Sequence, residues 1–216
     1  MSEIKSLKSQ YMKWLIMLAT ANLIVVLLFL APGFSTGANI TELGNWRLLT
    51  TVVIPVVILL IANVLPHNVK CMLVYWRPLN WLPGSEAFSK YGPRDPRVDM
   101  DALEKSIGPL PTDPLKQNVK WYQLYKQIQN DPEILEAHRN FLMYRDMAVL
   151  SLPFIPLTPL FLYLAGALPG AQWLGAGLFA MQYILTALSG SHNGIRFVTN
   201  VLAVHSSRAV GLAQVP

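Results

Sequence analysis

The sequence predicts an all-α integral membrane protein whose four transmembrane helices form two hairpins. Hydrophobic residues make up 53% of the chain and charged residues only 13%, whereas about 25% of residues are charged in a typical soluble domain. With histidine taken as neutral, three long runs carry no charge: from Lys13 to Glu42, from Arg47 to Lys70, and from Asp146 to Arg196, end residues excluded. A bilayer core about 30 Å thick requires roughly 20 apolar residues per helix, so the runs accommodate one, one and two spans.

The N-terminal domain, residues 1–66, combines a short basic arm with the first hairpin, whose spans are predicted at 12–31 and 48–66. The first apolar run is longer than the core of a secretory signal peptide and lacks a small-x-small cleavage pattern. We therefore expect a retained span. The second hairpin, residues 147–190, has spans at 147–168 and 172–190 with a tight turn at Pro169–Gly170 between them.

The distribution of positive charge predicts the orientation of these spans. All but one of the 17 lysines and arginines lie in the N-terminal arm, in the region 70–146 or in the C-terminal tail, and the exception is Arg47. Lysine and arginine near transmembrane segments stay on the cytoplasmic side. Both termini and the central region are therefore expected in the cytosol.

Residues 67–146 are predicted to form a small helical cytosolic domain. Its first half is rich in proline and glycine, which break regular structure, and contains one short helix at 98–107 with Asp99 as its cap. A second helix begins at Pro114 after an Asp113 cap. Its apolar stripe is taken to be the face with Leu115, Val119, Tyr122 and Tyr125. A third helix begins at Pro132 and is expected to continue into the third span as a rigid rod.

The tail, residues 191–216, is predicted to be an amphipathic helix that lies on the inner leaflet. One helical face would carry Phe197, Val201, Leu202 and His205. Such a helix binds a membrane surface through its apolar face, although a soluble partner could dock there instead.

Seven residues are candidates for binding a ligand or partner. Two His-Asn pairs each follow an apolar run, and Arg196 comes shortly after the second pair. Two further arginines lie in a turn of the central region. The candidates are His67, Asn68, Arg94, Arg97, His192, Asn193 and Arg196. The arginines could bind phosphate, or they could be satisfied by their neighbours Asp95 and Asp99. The His-Asn pairs could be interfacial anchors, ligand or pH-sensing groups, or catalytic groups, although no acid is adjacent to either pair in the sequence.

Five further residues are candidates for helix packing or for lining a pore. Polar Asn22 and Gln182 fall within predicted spans, where side chains hydrogen-bond between helices. Pro153, Pro156 and Pro159 remove backbone hydrogen bonds from the third span, either to shape the bundle or to form a hinge. The spans contain no charged residue, which argues against a proton-coupled transporter.

The sequence also argues against several other function classes. It has a single cysteine and no HxxxH, HExxH or CxxC spacing, so no metal site or disulfide is expected. No P-loop, GxSxG or GxGxxG motif occurs, and we expect neither a cofactor nor enzymatic activity. The central region has balanced charge rather than a basic stripe, which argues against direct nucleic-acid binding.

The two–loop–two layout resembles that of the four-helix membrane effectors of bacterial antiphage systems. The resemblance is one of layout and implies a bacterial inner-membrane protein that forms homo-oligomers and receives a cytosolic partner or ligand. Its spans would then act as a channel or permeabilise the bilayer. The alternative is a membrane anchor or scaffold that recruits a soluble enzyme without conductance. A third hypothesis is a membrane-embedded lipid-modifying enzyme that uses the His-Asn pairs.

Overall fold

The computed structural model describes residues 7–29 and 64–213, and they are helical with no strand among them. The α-helices are α1 (Leu7–Phe29), α2 (His67–Tyr75), α3 (Met100–Ile107), α4 (Pro114–Gln127), α5 (Pro132–Ser151), α6 (Phe154–Leu164) and α7 (Pro169–Ala213). A 3₁₀-helix at Pro83–Glu86, a π-helical turn at Ala87–Tyr91 and a 3₁₀-turn at Gly92–Arg94 lie between α2 and α3. The all-helical class is confirmed for these residues.

Two helical stretches of the described chain are long and apolar enough to cross a membrane, Lys8–Phe29 and Pro132–Leu164. They contain much of the first and third predicted spans. The second predicted span, 48–66, lies outside the described residues except for its last three positions. The fourth, 172–190, is helical but forms part of α7, and the presence of Gln172 and Gln182 lowers its hydropathy. Four spans and the two-hairpin layout therefore remain predictions.

The chain divides into two compact units, and α2, α5 and α7 each contribute residues to both. Unit 1 comprises Met1–Lys70 and Met143–Leu188, and unit 2 comprises Cys71–Leu142 and Ser189–Pro216. Unit 2 thus includes most of the predicted cytosolic domain together with the predicted tail, two segments that the sequence assigned to separate domains.

Unit 1 contains α1, the start of α2, the last part of α5, α6 and the first part of α7. A small apolar core contains Phe29, Leu162 and Ala171. Phe154 stacks on Phe179 with ring centroids 5.0 Å apart. A Cβ atom added to Gly175 would lie 2.9 Å from the side chain of Thr158, so glycine at this position allows α7 to approach α6 closely.

The chain reverses direction between α6 and α7 earlier than predicted. Gly166 has a φ of 71°, a left-handed conformation that glycine adopts without steric cost. Pro169 is instead the first residue of α7, where its missing N–H group costs no helical hydrogen bond. The predicted turn at Pro169–Gly170 is therefore wrong by a few residues. The helix that begins at Pro132 runs into the predicted third span as expected, because α5 is unbroken to Ser151; a break at Pro153 separates it from α6, which begins at Phe154.

Unit 2 has a large aromatic and aliphatic core. Phe197 of α7 is its centre: Trp121 and Tyr125 of α4 contact the ring edge-on, each at 5.2 Å, and His138 of α5 stacks on it at 4.7 Å. Val198, Val201 and Leu202 are completely buried beside it. The predicted surface helix at 191–216 is therefore wrong for these residues, because its apolar face packs in a protein core.

The N-terminal ends of α3 and α4 match the sequence-based assignment. The side chain of Asp99 accepts a hydrogen bond from the backbone N–H of Ala102, and that of Asp113 accepts one from Lys116. The predicted apolar stripe of α4 is only partly buried: Tyr125 is 8% exposed, whereas Leu115 is 73% exposed and Val119 is 56% exposed. The helix instead buries the face that carries Gln117, Trp121 and Leu124.

The irregular segment before α3 is held against α4 by a buried amide. Gln117 is 1% exposed. Its Oε1 accepts hydrogen bonds from the backbone N–H groups of Phe88 and Ser89, and its Nε2 donates to the carbonyl of Thr112. These bonds satisfy backbone groups that the short 3₁₀ and π turns leave unpaired. The segment thereby presents Tyr91–Arg97 in a defined position.

Candidate functional site

A cavity in unit 2 brings together four of the seven predicted ligand residues. It has a volume of about 660 Å³ and is lined by Tyr91, Arg94, Asp95, Pro96, Arg97, His192, Ile195, Arg196 and Thr199. One wall is the turn that follows the irregular segment. The other is one face of α7, because residues spaced by three and four positions point the same way on a helix. We call this the arginine cavity.

Arg97 is fixed in the wall of the arginine cavity by its own neighbours. Its Nε and Nη2 donate to the two carboxylate oxygens of Asp95 at 3.0 and 2.7 Å. Nη2 also donates to Thr199 Oγ1 at 3.3 Å and Asn200 Oδ1 at 3.0 Å, which connects the turn to α7. The hydrogen bonds from Arg97 hold the pKa of Asp95 well below its usual range. Arg97 is therefore the self-satisfied arginine that the sequence allowed as an alternative.

Arg94, His192 and Arg196 are different, because their side chains are exposed and form no hydrogen bond or ion pair with any described residue. Each lines the cavity. With Arg97 neutralised by Asp95, the guanidinium groups of Arg94 on the turn and Arg196 on α7 leave an excess of positive charge around the cavity. Arginine presents several N–H donors in a planar fork that matches oxyanions, so the arrangement is chemically suited to bind an anion.

Acidic side chains lie on the other side of Arg196. A smaller cavity of about 70 Å³ is lined by Glu133, Glu136, Ala137, Asn140, Asn193, Arg196 and Asn200. Glu133 and Glu136 are exposed and make no ion pair within unit 2, so solvent screens their attraction for the arginines. Asn193, a further predicted ligand residue, faces this smaller cavity and donates to the backbone carbonyl of Ser189.

The other predicted pair, His67 and Asn68, lies in unit 1. His67 and Asn68 both have exposed surface, and Nδ1 of His67 is 2.6 Å from Nη1 of Arg145. Because arginine remains protonated, it must be the donor and His67 the acceptor. Partial burial and the charge of Arg145 both lower the pKa of His67, which is consistent with a neutral imidazole.

Arg145 leads to a buried charge cluster that the sequence analysis missed. Asp146 is 4% exposed and accepts hydrogen bonds from Arg145 Nε at 3.1 Å, Arg145 Nη2 at 2.8 Å, Lys70 Nζ at 3.3 Å and the hydroxyl of Tyr11 at 3.0 Å. We call Tyr11, Lys70, Arg145 and Asp146 the Asp146 cluster. It joins α1, α2 and α5, and burial lowers the pKa of Lys70.

One sequence signal could have identified the Asp146 cluster. Lys70 directly follows one uncharged run, Asp146 directly precedes another, and Tyr11 directly precedes the first predicted span. If the spans share one membrane boundary, these side chains occur at the same depth. The charges were used only to predict the orientation of the spans, and an ion pair between them was not predicted.

The predicted packing residues of the membrane segments have mixed environments. Gln182 donates to Ser151 Oγ at 2.8 Å, which connects α7 to α5 within unit 1. Asn22 is 2% exposed, and its amide nitrogen has no partner among the described residues. Pro159 lies inside α6, as does Pro156, and Pro153 precedes it. A pore-lining role for these five residues remains a prediction.

Neither site is assembled as a metal centre. Within residues 7–29 and 64–213, no three His, Cys, Asp or Glu side chains converge to hold a metal ion.

No protein-family model matches the sequence, and no curated protein or solved structure is detectably similar to it.

Proposed function

We propose that this chain is a non-enzymatic protein of the bacterial inner membrane that self-associates and couples a ligand in the arginine cavity to its membrane segments. The observation that carries the proposal is the presence of three unpaired, basic or ionisable side chains, Arg94, His192 and Arg196, around one cavity of small-molecule size. Cavities of about 300–1,000 Å³ with a few convergent polar groups are typical ligand sites. The carboxylate that lines this cavity, Asp95, is held in a bidentate pair with Arg97. Because that pair lowers its pKa, Asp95 is a poor general base, and binding is a better explanation than catalysis.

The exposure of unit 1 supports a membrane location. In the Lys8–Phe29 helix, only 17% of the most apolar window is buried, whereas the core helix of a soluble protein would be mostly buried. Large apolar side chains such as Met17, Leu28, Tyr163 and Trp173 are more than half exposed. Contiguous exposed apolar surface marks contact with a membrane or another protein, and lipid or a second copy would cover it here.

The proposed coupling element is α7. This single helix, Pro169–Ala213, contains both the predicted span at 172–190 and the cavity residues His192 and Arg196. A ligand that orders the cavity wall would act on the same helix that enters the membrane. The output that we assign to the membrane segments is a channel or permeabilisation of the bilayer, with both termini in the cytosol.

The proposal is tested with the full chain reconstituted in liposomes. We expect the protein to resist carbonate extraction and to have a native mass above that of a monomer. We also expect an ion flux that changes when Ile195→Trp narrows the cavity. Circular dichroism of the variant provides the folding control. A chain that carbonate releases, or a monomer that passes no ions, would overturn the proposal.

The scaffold alternative is favoured by a different surface. Leu115, Val119 and Tyr122 of α4 are each at least half exposed, and a groove of about 360 Å³ lies beside them. A soluble partner docked on α4 would require this face and would need no conductance. The two functions differ in one measurement, the ion flux in liposomes: a scaffold passes no ions, whereas the coupling function predicts a flux that Ile195→Trp changes and Tyr122→Asp does not.

A further inference from the structure

We infer that the ligand of the arginine cavity carries a phosphate group, held between Arg94 and Arg196 with His192 as a third polar contact. This inference rests on the proposed function and specifies the chemical class of its ligand.

The charge balance favours a dianion. Asp95 neutralises Arg97 through a bidentate pair, so Arg94 and Arg196 supply the remaining full positive charges of the wall. A phosphate monoester carries a charge of about −1.5 to −2 near neutral pH. It would balance both guanidinium groups, whereas a carboxylate would leave one of them unbalanced.

The rest of the cavity suits an organic substituent rather than a bare ion. Ile195 on α7 and Pro96 on the turn provide apolar surface, and Tyr91 also lines the cavity. The volume of about 660 Å³ is far larger than inorganic phosphate requires. A phosphate monoester with an apolar or planar group matches both the arginines and the apolar surface of the cavity. Examples are a nucleoside monophosphate and the headgroup of an anionic lipid.

The groups that compete for the arginines are weak. Glu133 and Glu136 approach Arg196 from the smaller cavity but form no ion pair with it. Both are exposed to solvent, which screens them. Thr199 Oγ1 already accepts from Arg97, so the phosphate would be held by Arg94, Arg196 and His192.

The test measures binding to the full chain in nanodiscs of zwitterionic lipid by isothermal titration calorimetry. The soluble probes are adenosine monophosphate, inorganic phosphate and acetate; a separate preparation contains phosphatidic acid. We expect saturable binding of adenosine monophosphate, weaker binding of inorganic phosphate and none of acetate. If the source of the phosphate is a lipid, phosphatidic acid in the nanodisc should instead raise the melting temperature of the wild type and not of Arg94→Gln.

Two variants assign the interaction to the site. Arg94→Gln and Arg196→Gln should each weaken binding about 10- to 100-fold, as expected for loss of a charged hydrogen bond. Lys105→Gln, which removes one exposed positive charge from α3 away from the cavity, should bind as the wild type does. Circular dichroism and melting temperature show whether each variant is folded.

The inference is wrong if neither soluble phosphates nor phosphatidic acid bind, or if Arg94→Gln and Arg196→Gln bind as tightly as Lys105→Gln. The proposed function is judged separately, by membrane extraction, native mass and the effect of Ile195→Trp on ion flux. If those hold while no phosphate binds, the chemical class of the ligand is wrong and the coupling function stands.

Discussion

Asp146 is the residue on which the most polar contacts of unit 1 converge. Its carboxylate accepts hydrogen bonds from Tyr11, Lys70 and Arg145 while almost completely buried. Two buried cations with one shared anion form a stable arrangement only while the anion is present. Removing one partner of a buried ion pair is costly because the remaining charge is left without compensation.

Asp146→Asn should therefore lower the free energy of unfolding by about 3–5 kcal/mol. Chemical denaturation in detergent, followed by circular dichroism, measures the change. Asp101→Asn is the matched control: this aspartate is exposed in the first turn of α3, and its loss should cost less than about 1 kcal/mol. Equal stability of the two variants would show that the cluster does not stabilise the fold.

His67 should make the stability of unit 1 depend on pH. Its folded pKa lies below the ordinary value of 6.5, so the folded chain binds fewer protons than the unfolded chain in that region. The stability that neutral His67 contributes is fully present above its pKa in the unfolded chain and is lost as the pH falls through its pKa in the folded chain. The groups that face it, Arg145, Lys70 and Asp146, include two cations that oppose protonation.

The melting temperature is therefore expected to fall between about pH 7.5 and about pH 5.5, and His67→Gln should reduce that fall. The variant should retain the part contributed by His205, whose pKa burial also lowers. An unchanged pH dependence in His67→Gln would contradict the assignment of a neutral His67.

At the scale of elements, α7 illustrates how tightly the helices of unit 2 pack. A Cβ atom on Gly194 would overlap the Tyr75 hydroxyl and lie 2.9 Å from the ring of Phe141. The Tyr75 hydroxyl is buried and has no hydrogen-bond partner among the described residues. The contact therefore depends on the absence of a side chain at position 194.

Gly194→Ala should destabilise the protein by about 1–3 kcal/mol through overpacking, despite the higher helix propensity of alanine. Gly177→Ala, on the same helix with nothing within 4 Å, should be neutral or stabilising by up to about 1 kcal/mol. Because the overlapping atom is the hydroxyl, Tyr75→Phe should recover part of the loss in the double variant. Thermal melting of the wild type, Gly194→Ala, Tyr75→Phe and the double variant provides the double-mutant cycle.

Element starts were predictable from the sequence, but buried faces were less so. An aspartate directly before a helix marks its start through local hydrogen bonds. Asp99, Asp113 and Asp131 precede α3, α4 and α5 in this way, and in α4 and α5 a proline follows the aspartate. Which face of α4 is buried depends on Phe197, far away in the sequence. Gln117, a polar residue, is buried because it binds the irregular segment, and no local periodicity carries that information.

The candidate site was only partly predictable, because residue types are visible in the sequence whereas contacts between distant segments are not. The sequence selected Arg94, Arg97, His192 and Arg196 as separate candidates by residue type. Their convergence requires the residues around His192 to fold against the turn at Arg97, which the hydrogen bonds to Thr199 and Asn200 achieve. The Asp146 cluster was not predicted because its members come from three separate segments.

At the scale of the whole molecule, unit 1 should tolerate charge less well than unit 2 at equally exposed positions. Ile24 of α1 is 51% exposed and Leu115 of α4 is 73% exposed. In water, a lysine at either position would be nearly neutral. In a bilayer, a lysine near the centre of a span costs about 2.5–3.5 kcal/mol.

Ile24→Lys should thus reduce the fraction of the chain recovered in the carbonate-resistant membrane pellet, while Leu115→Lys should not. Quantitative immunoblotting of pellet and supernatant provides the measurement. If both variants partition as the wild type does, the exposed face of α1 does not contact lipid.

The single cysteine of the chain lies in the core of unit 2, so its reactivity reports when that core opens. Cys71 is not in a disulfide and is completely buried in the apolar core of unit 2. A maleimide can label this thiol only when the core opens, so the labelling rate of the unmodified protein measures the free energy of that opening. A ligand that binds the arginine cavity should slow the reaction, which provides a binding assay without any engineered probe.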